Sequence, residues 1–518
     1  MSRAYTSDPV TLSVFVSALV GIAEEMGVVL IQSSRSSNIK ERRDCSCALF
    51  DGEGRMVAQA EHIPVHLGAM AEAVASVIDH HPEPGDVFAL NDPYSGGTHL
   101  PDITLVTPIA RGPEIVGFAV ARAHHSDVGG MQPGSMPSDS RSIYQEGIII
   151  PPVRLLRRGE YVDDVLALLL ANVRTPEIRL ADLQAQLAAN RVGAHRFGEL
   201  LDRYGDAFVR AAFDDVLAYS ERRTRAALAA LPAGTYRART ELEGDGVTVD
   251  DIEICCTAEI DGDRIRFDFA GTAPATAGNV NCPLAVTRSA CLFAVRVLLP
   301  DDIPTNAGIV RAIEVVAPEG CLVNAQRPSA VVAGNVETSQ RIADAALEAL
   351  AQAVELPAAG QGTMNNTIIG GASWTYYETI GGGQGASRAG AGASGVHVGM
   401  SNTLNTPIEA LELEFPLRVE QYELRYGSGG AGQSRGGDGL VRSLRLLEPA
   451  TLCLLTDRRR HAPVGRAGGS PGACGVNLID GREVAAKVTA ELDAGQVVTV
   501  MTPGGGGWGE PRPYDTSP

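Results

Sequence analysis

One short stretch, NDPYSGGTHLPDITLVTPI, limits how this chain can fold, because it places His99 and Asp102 between paired glycines and an apolar, strand-like run. The glycines and Pro101 do not allow a regular helix, so the two polar residues must lie in a tight loop before a strand. Such a loop can direct an imidazole nitrogen and a carboxylate oxygen to one point, which suits a borderline divalent ion such as Zn, Fe or Mn. The spacing predicts a metal site, and two hydrogen-bonded loop residues are the alternative.

The next apolar run, VGFAVARAHHSDVGG, ends in His124, His125 and Asp127 before a Gly-Gly turn. Adjacent strand residues point to opposite faces of a sheet, so only one of the two histidines can join His99 and Asp102. Three protein ligands with open positions are typical of a catalytic metal site, where bound water is acidified towards hydroxide. A buried polar cluster without a metal is the competing interpretation.

The same segments carry a family resemblance that covers nearly the whole chain. Together with SSNIKERRDCSCALFDGEGRMVAQAEHIPVHLGAM, NVRTPEIRLADLQAQLAAN, GNVETSQRIADAALEAL and PGGGGWG, they resemble the hydantoinase B/oxoprolinase family. The resemblance implies His99, Asp102 and His124 as metal ligands, with Asp44 as a fourth. One departure is Ala181, which stands where the family's Gly-Asp-Leu motif has Gly, and it affects only a local turn.

Members of this family are subunits of cyclic-amide hydrolases and of acetone and acetophenone carboxylases. The resemblance implies an enzyme subunit with one divalent metal ion (Zn, Mn or Fe) in a hetero-oligomer with a larger hydantoinase A-type subunit, which binds and spends ATP. We expect an ATP-dependent hydrolase that opens a hydantoin, 5-oxoproline or lactam ring after the partner has phosphorylated the amide oxygen. A subunit of a ketone carboxylase is the first alternative, and a non-catalytic scaffold of such a complex is the second.

Further polar residues are candidates for catalysis or substrate binding. His125, Asp127 and Glu146 are candidate proton-transfer groups. Glu146 follows a long irregular loop, and it is alternatively a carboxylate that orients a ligand histidine, or a plain surface residue. The candidate substrate-binding residues are Asn91, Asp92, Tyr94, His62 and His66. For the two histidines, a structural role in capping or turn hydrogen bonds is favoured over substrate contact.

Two later segments also contain polar residues of interest. Asn335, Glu337 and Ser339 stand at a predicted helix start, where backbone N–H groups can bind an anion, although N-capping is the favoured interpretation. The glycine-rich region after residue 360 contains His397 and Asn402. It has no Gly-x-Gly-x-x-Gly between a strand and a helix, so a dinucleotide fold is not supported, and its glycines favour close backbone packing or a pocket wall.

Composition excludes several classes of function. A net charge of −19 argues against a nucleic-acid partner, since phosphate binding needs a basic surface. Only Lys40 and Lys487 are lysines, and neither lies in a P-loop, so another chain must bring any P-loop ATP site. The nine cysteines include no Cys-x-x-Cys and are predicted to be reduced, mostly buried thiols. We find no signal peptide and expect no apolar run long enough to cross a bilayer, so a cytoplasmic location is expected.

The chain of 518 residues is long enough for two to four domains. Apolar periodicity and turn signals predict an α+β fold of several domains, with mixed sheets, a helical insert and a glycine-rich, β-containing C-terminal region. The predicted parts are a metal-site α/β domain (1–160), a helical segment (161–233), an α+β domain (234–358) and a glycine-rich α+β region (359–518). Hairpin turns are predicted at 51–54 and 261–263.

Overall fold

The computed structural model describes residues 8–60, 63–66 and 68–511. Its N-terminal part is built on a sheet of seven strands in the order β2-β1-β5-β4-β3-β6-β7. The strands are β1 (Cys45–Asp51), β2 (Met56–Ala60), β3 (Val87–Leu90), β4 (Asp102–Arg111), β5 (Glu114–His124), β6 (Val153–Arg157) and β7 (Glu160–Tyr161). Strands β1 and β2 form the antiparallel hairpin predicted at 51–54. The predicted tight loop before a strand is also confirmed, since β4 begins at Asp102.

Three helices accompany this sheet: α1 (Pro9–Ser33), α2 (Ser37–Lys40) and α3 (Ala69–Ile78). The side chain of Asp8 accepts hydrogen bonds from the first amides of α1, as its N-cap position predicts. Helix α1 is long and apolar enough to cross a membrane by length and composition, so our expectation of no such run is wrong. In this fold Phe15, Leu19 and Met26 of α1 pack into a core with β1, β5 and the helical segment.

The predicted helical segment is confirmed as α4 (Asp163–Ala171), α5 (Pro176–Tyr204) and α6 (Asp206–Ala229). Helix α5 packs on α1 and on strands β4 and β5. Two of its amides bind the sheet directly: Gln186 donates to the carbonyls of Ile103 and Ala121, and Asn190 donates to the carbonyl of Leu105. The helical segment therefore covers one face of the seven-stranded sheet.

A second sheet has four strands in the order β11-β10-β9-β8. They are β8 (Gly234–Glu243), β9 (Asp251–Asp261), β10 (Arg264–Asp268) and β11 (Ile313–Val316), with helices α7 (Leu284–Arg296), α8 (Ala307–Val310) and α9 (Ser339–Leu350). The hairpin predicted at 261–263 joins β9 and β10. Helix α9 packs on β8 and β9 and is preceded by a π-helical turn, Gly334–Thr338.

The π-helical turn contradicts the favoured N-cap interpretation of Asn335, Glu337 and Ser339. Helical backbone already surrounds these residues, and the side chain at the start of α9, Thr338, makes no capping hydrogen bond. Glu337 instead accepts a hydrogen bond from the amide of Met364, and the Ser339 hydroxyl donates to the carbonyl of Asn335. Because the helical backbone already begins at Gly334, with Ala333 at the N-cap position, these three residues lie inside the helix and not at its cap.

The C-terminal region contains two more sheets, in the orders β13-β12-β16-β19 and β14-β15-β20-β17-β18. Its elements are β12 (Asn366–Gly370), β13 (Thr375–Glu378), α10 (Ile408–Glu414), β14 (Leu417–Arg425), β15 (Gly439–Leu446), β16 (Ala450–Leu455), β17 (Val476–Ile479), β18 (Arg482–Val484), β19 (Lys487–Leu492) and β20 (Val497–Met501). A Cβ at Gly505 would lie 2.0 Å from the carbonyl oxygen of Gln384, so the predicted close backbone packing is confirmed.

The α+β fold class with several sheets is confirmed. The domain boundaries at 160, 233 and 358 stay predictions.

Candidate metal centre

Three predicted ligands meet at one end of the seven-stranded sheet. His99 lies in the tight loop before β4, Asp102 is the first residue of β4, and His124 is the last residue of β5. The antiparallel register pairs Asp102 with His124, and the loop brings His99 over the same end. One ligand atom of each residue lies within 4.8 Å of the other two, and all three side chains are buried. The sheet register and the loop together make this a potential metal-binding group.

The converging atoms make no hydrogen bond to any group of the described structure. Nε2 of His99, Oδ1 of Asp102 and Nε2 of His124 are buried, and none has a hydrogen-bond partner. The first two lie 3.3 Å apart, which is within ion-pair distance when His99 is protonated. Buried polar atoms without partners cost free energy, so three of them facing one point need an explanation. Two imidazole nitrogens and a carboxylate oxygen are a donor set that fits Zn, Mn or Fe.

The remaining atoms of the ligand residues are held by neighbours, as metal ligands usually are. Nδ1 of His99 lies 3.3 Å from the carbonyl oxygen of Val332, which accepts its proton and leaves Nε2 as a lone pair. Nδ1 of His124 lies 3.2 Å from Nδ2 of Asn38. In this orientation the Asn38 amide donates to Nδ1 of His124, while Oδ1 of Asn38 accepts from Arg42 at 3.5 Å. Metal binding by Nε2 of a neutral His124 ring puts the ring proton on Nδ1 and therefore requires the Asn38 amide to turn and present Oδ1.

Asp102 is held through its second carboxylate oxygen. Oδ2 accepts a hydrogen bond from the Thr98 hydroxyl at 2.5 Å and lies 3.4 Å from both Nε2 of His66 and Nδ2 of Asn335. Burial alone would raise the pKa of Asp102, but His99 and His66 hold it well below its ordinary value. The carboxylate is therefore ionised and oriented, as a metal ligand requires.

A small cavity of about 20 Å³ lies beside the three ligands. Asp44, the predicted fourth ligand, lines it but is not one of the three converging residues; its carboxylate lies 3.9 Å from Arg42. Burial raises the pKa of Asp44 to about 6, although the Arg42 charge lowers it. A volume of this size accommodates one water-sized group.

The described residues match one known family from end to end: the sequence model of Hydantoinase B/oxoprolinase covers residues 8–511. The chain belongs to the hydantoinase B/oxoprolinase family. An uncharacterised family member from Methanocaldococcus jannaschii is 42% identical over 98% of this chain and 92% of its own length. A putative D-/L-hydantoinase subunit from Pseudomonas sp. is 32% identical over 99% of this chain and 92% of its own length.

Arabidopsis thaliana 5-oxoprolinase 1 is 39% identical over 97% of this chain, which spans only 42% of that longer protein. Among solved structures, the ATP-dependent caprolactamase from Pseudomonas jessenii has a TM-score of 0.91 and 31% identity, over 99% of this chain and 93% of its own. An acetone carboxylase in its nucleotide-free form has a TM-score of 0.85 and 19% identity, over 97% of this chain and 76% of its own. The last similarity concerns the fold alone.

The structure places the predicted substrate-binding residues of this family member in different surroundings. His66 lines the metal cavity, with Nδ1 2.9 Å from the Ser46 hydroxyl, whereas His62 lies outside the described residues. Asn91 bridges backbone groups of Leu100, Ile148 and Ile150, Asp92 pairs with Arg327, and the Tyr94 hydroxyl donates to the carbonyl of Ser329. Asn91, Asp92 and Tyr94 therefore connect loops to one another, and none of the three lines the cavity.

The predicted proton-transfer groups do not line the cavity either. Nε2 of His125 lies 2.9 Å from Oε1 of Gln186, on the face covered by α5. Asp127 pairs with Arg174 at 2.8 Å and accepts hydrogen bonds from the amides of Gly129 and Gly134. Both side chains are fixed in the packing of the sheet against the helical segment and the following loop.

Glu146 holds the backbone segment whose carbonyl group faces His99. Its buried carboxylate accepts hydrogen bonds from the amides of Val331 and Val332 and from the Ser140 hydroxyl. Val332 is the residue whose carbonyl faces His99. Burial raises the pKa of Glu146 to about 7. Of the alternatives for Glu146, the contacts fit a carboxylate that positions a ligand histidine through the backbone.

The cavity wall also contains residues that our sequence analysis did not select. The ring of Tyr377 stacks on His124 at 4.7 Å, and the Arg42 guanidinium lies 4.6 Å from the centre of the Tyr377 ring. Other residues of this wall are Thr379, Ser401 and Thr403. They come from the glycine-rich region, more than 200 positions away in sequence, and no local pattern marks them.

Proposed function

We propose that this chain is the metal-bearing subunit of an ATP-dependent cyclic-amide hydrolase. The observation that carries the proposal is the convergence of three buried ligand atoms that have no hydrogen-bond partner, on His99, Asp102 and His124. Relatives named 5-oxoprolinase, D-/L-hydantoinase and ATP-dependent caprolactamase support the reaction class. Each name denotes a protein that acts on a cyclic amide.

We further propose that the chain works with a hydantoinase A-type partner that binds ATP. The sequence contains no P-loop lysine, and its relative in Pseudomonas sp. is named as a subunit. The long 5-oxoprolinase of Arabidopsis thaliana has room for both functions, because this chain spans 42% of it. A partner that spends ATP is consistent with a cytoplasmic complex.

In the proposed reaction, the bound ion would supply Lewis acidity towards a carbonyl oxygen and lower the pKa of water. His99, Asp102 and His124 would hold it, and the cavity-facing carboxylate of Asp44 would complete the ligand set. Thr98 and His66 keep Asp102 in place, and Tyr377 keeps His124 in place. Glu146 is a positioning residue in this proposal, and His125 and Asp127 are structural.

The test is elemental analysis of the purified chain together with its hydrolysis activity in the presence of the partner and ATP. We expect about one equivalent of Zn, Mn or Fe, lost in His99→Ala and in His124→Ala. His125→Gln is the matched control, because this neighbouring histidine faces Gln186 and its replacement should keep the metal. Equal metal content in all four proteins, or none in any, would overturn the proposed site.

The substrate panel for the activity assay consists of hydantoins, 5-oxoproline and lactams. ATP-dependent ring opening of at least one of them, lost in His99→Ala, is the expected result. ATP turnover that requires bicarbonate and a ketone, with no ring opening, would replace the hydrolase by a ketone carboxylase. Full activity in His99→Ala would leave only a scaffold role for the metal region.

A further inference from the structure

A large cleft adjoins the metal cavity. It has a volume of about 1080 Å³ and is lined by residues of β8, α9 and the glycine-rich region, among them Gln340, His397 and Asn402. Ser401 lines both this cleft and the 20 Å³ cavity beside the ligands. Ser401 therefore lies at the boundary between the cleft and the metal cavity.

A row of hydrogen-bonded side chains leads to this boundary. The Arg42 guanidinium donates to the hydroxyl of Thr379 at 2.8 Å, and the hydroxyls of Thr379 and Thr403 lie 2.6 Å apart. The Thr403 hydroxyl lies 3.5 Å from Nε2 of His397, and Nδ1 of His397 lies 2.7 Å from the Ser401 hydroxyl. The row therefore runs from the permanently charged Arg42 to Ser401 at the cavity boundary.

Arg42 donates to the hydroxyls of both Thr379 and Thr403, at 2.8 and 3.5 Å, because a guanidinium can only donate, so the direction of the row depends on which acceptors remain for the hydroxyl protons. Thr379 accepts from Arg42, and among the described residues its own proton has one acceptor, the hydroxyl of Thr403. Thr403 then donates to Nε2 of His397. A neutral imidazole that accepts at Nε2 carries its proton on Nδ1, so His397 donates to Ser401 and the Ser401 proton is left to point away.

The pKa of His397 also favours a neutral ring. Burial and the nearby charge of Arg42 lower the pKa of His397 to about 3. The ring therefore has one proton to place at neutral pH, and the direction of the row decides where it is placed.

We propose that Ser401 is a substrate-contacting residue whose hydroxyl donates a hydrogen bond to an oxygen of the cyclic amide at the boundary between cleft and metal cavity, with His397 as its positioning residue. This inference rests on the proposed function for the identity of the ligand. The direction of the hydrogen bonds in this row does not depend on the ligand, because all of the groups in the row belong to this chain.

The first test measures that direction directly. In the ¹⁵N-histidine-labelled chain in complex with its partner, the resonances of His397 are assigned by their loss in His397→Asn. We expect the Nδ1–H tautomer of a neutral ring at pH 7. An Nε2–H tautomer would reverse the row and overturn the inference, whether or not a substrate is known.

The second test measures substrate contact by kinetics on the active complex. Ser401→Ala should raise KM for the cyclic amide about tenfold with unchanged metal content, the loss expected for one hydrogen bond. Ser401→Thr keeps the hydroxyl and should restore most of the affinity. The control is Ser443→Ala, another buried serine whose hydroxyl pairs with Thr499 at 2.7 Å in the C-terminal sheet, and it should leave KM unchanged.

The positioning role of His397 needs a separate pair of variants. His397→Asn can keep a donor near the Nδ1 position, so KM should stay closer to wild type than in His397→Leu, which has no donor. An unchanged KM in both Ser401→Ala and His397→Leu would overturn the contact. If wild type opens no cyclic amide, the proposed function fails instead, and the tautomer measurement still decides the direction of the row.

Discussion

The two faces at the end of β5 place the same residue types in different surroundings. His124 and His125 are consecutive, and each has one hydrogen-bonded and one unbonded ring nitrogen. The unbonded Nε2 of His124 converges with His99 and Asp102, whereas His125 belongs to no such group among the described residues. The carboxylates also differ in their contacts. Asp102 keeps a buried oxygen without a partner, whereas both oxygens of Asp127 are used by backbone amides and Arg174.

A buried histidine and a buried aspartate therefore do not by themselves make a metal site. On the α5 face, Nε2 of His125 and both oxygens of Asp127 find partners within the protein, and the remaining unbonded atom, Nδ1 of His125, joins no converging ligand group among the described residues. On the cavity face, the unpartnered atoms point to one another, which is the arrangement that a bound cation would satisfy. Single substitutions on each face test this difference between the two faces.

The largest effect is expected for Asp102→Asn. The substitution keeps the shape of the side chain but removes the only anionic member of the converging group, so metal affinity should fall by more than about a hundredfold. Metal titration by calorimetry measures it. Asp127→Asn is the matched change on the α5 face and should leave affinity within a factor of about two; equal losses in both would remove the distinction between the faces.

Arg174→Ala tests the packed face. It leaves the fully buried Asp127 without its ion-pair partner, and breaking a buried pair in this way costs about 3 kcal/mol of folding free energy. Denaturant unfolding measures the loss, and metal content should not change. A stable variant that loses its metal would mean that this face supports the site rather than the fold.

Glu146→Gln tests the carboxylate behind His99 through the pH dependence of stability. The pKa of Glu146 is raised from 4.5 to about 7, so the folded state binds more protons than the unfolded state between these values. Stability therefore falls as pH rises through this window, by on the order of 3 kcal/mol. Glu146→Gln can keep the hydrogen bonds to Oε1 and should flatten the pH profile of unfolding in the metal-free chain; an unchanged slope contradicts the assignment.

The smallest effect is expected for Tyr377→Phe. The ring that stacks on His124 is kept, and only the hydroxyl that donates to Asn366 is lost. Stability should decrease by about 1 kcal/mol, with metal content unchanged. Thermal unfolding with and without added metal measures both. A loss of metal in this variant would show that the hydroxyl, and not the ring, supports the ligand.

Local sequence patterns predicted a large part of this structure. Turn residues predicted the hairpin between β1 and β2, and glycines and a proline predicted the loop that carries His99. Alternation along β5 predicted that His124 and His125 separate to opposite faces, as the Gln186 contact shows. The N-cap interpretation of Glu337 was wrong, because a π-helical turn is not visible as a sequence pattern.

Strand alternation and turn residues, which are local properties, indicated the fold class and the ligand candidates His99, Asp102 and one of the two adjacent histidines. The motif resemblance indicated the family and the choice of His124. Only the tertiary structure decided which polar groups remain without partners. It places Tyr377, Ser401 and Thr403 in the wall of the metal cavity and brings Gln186 into hydrogen-bond contact with His125. Hydrogen-bond satisfaction depends on groups that are distant in sequence, so packing separates a site from a structural cluster.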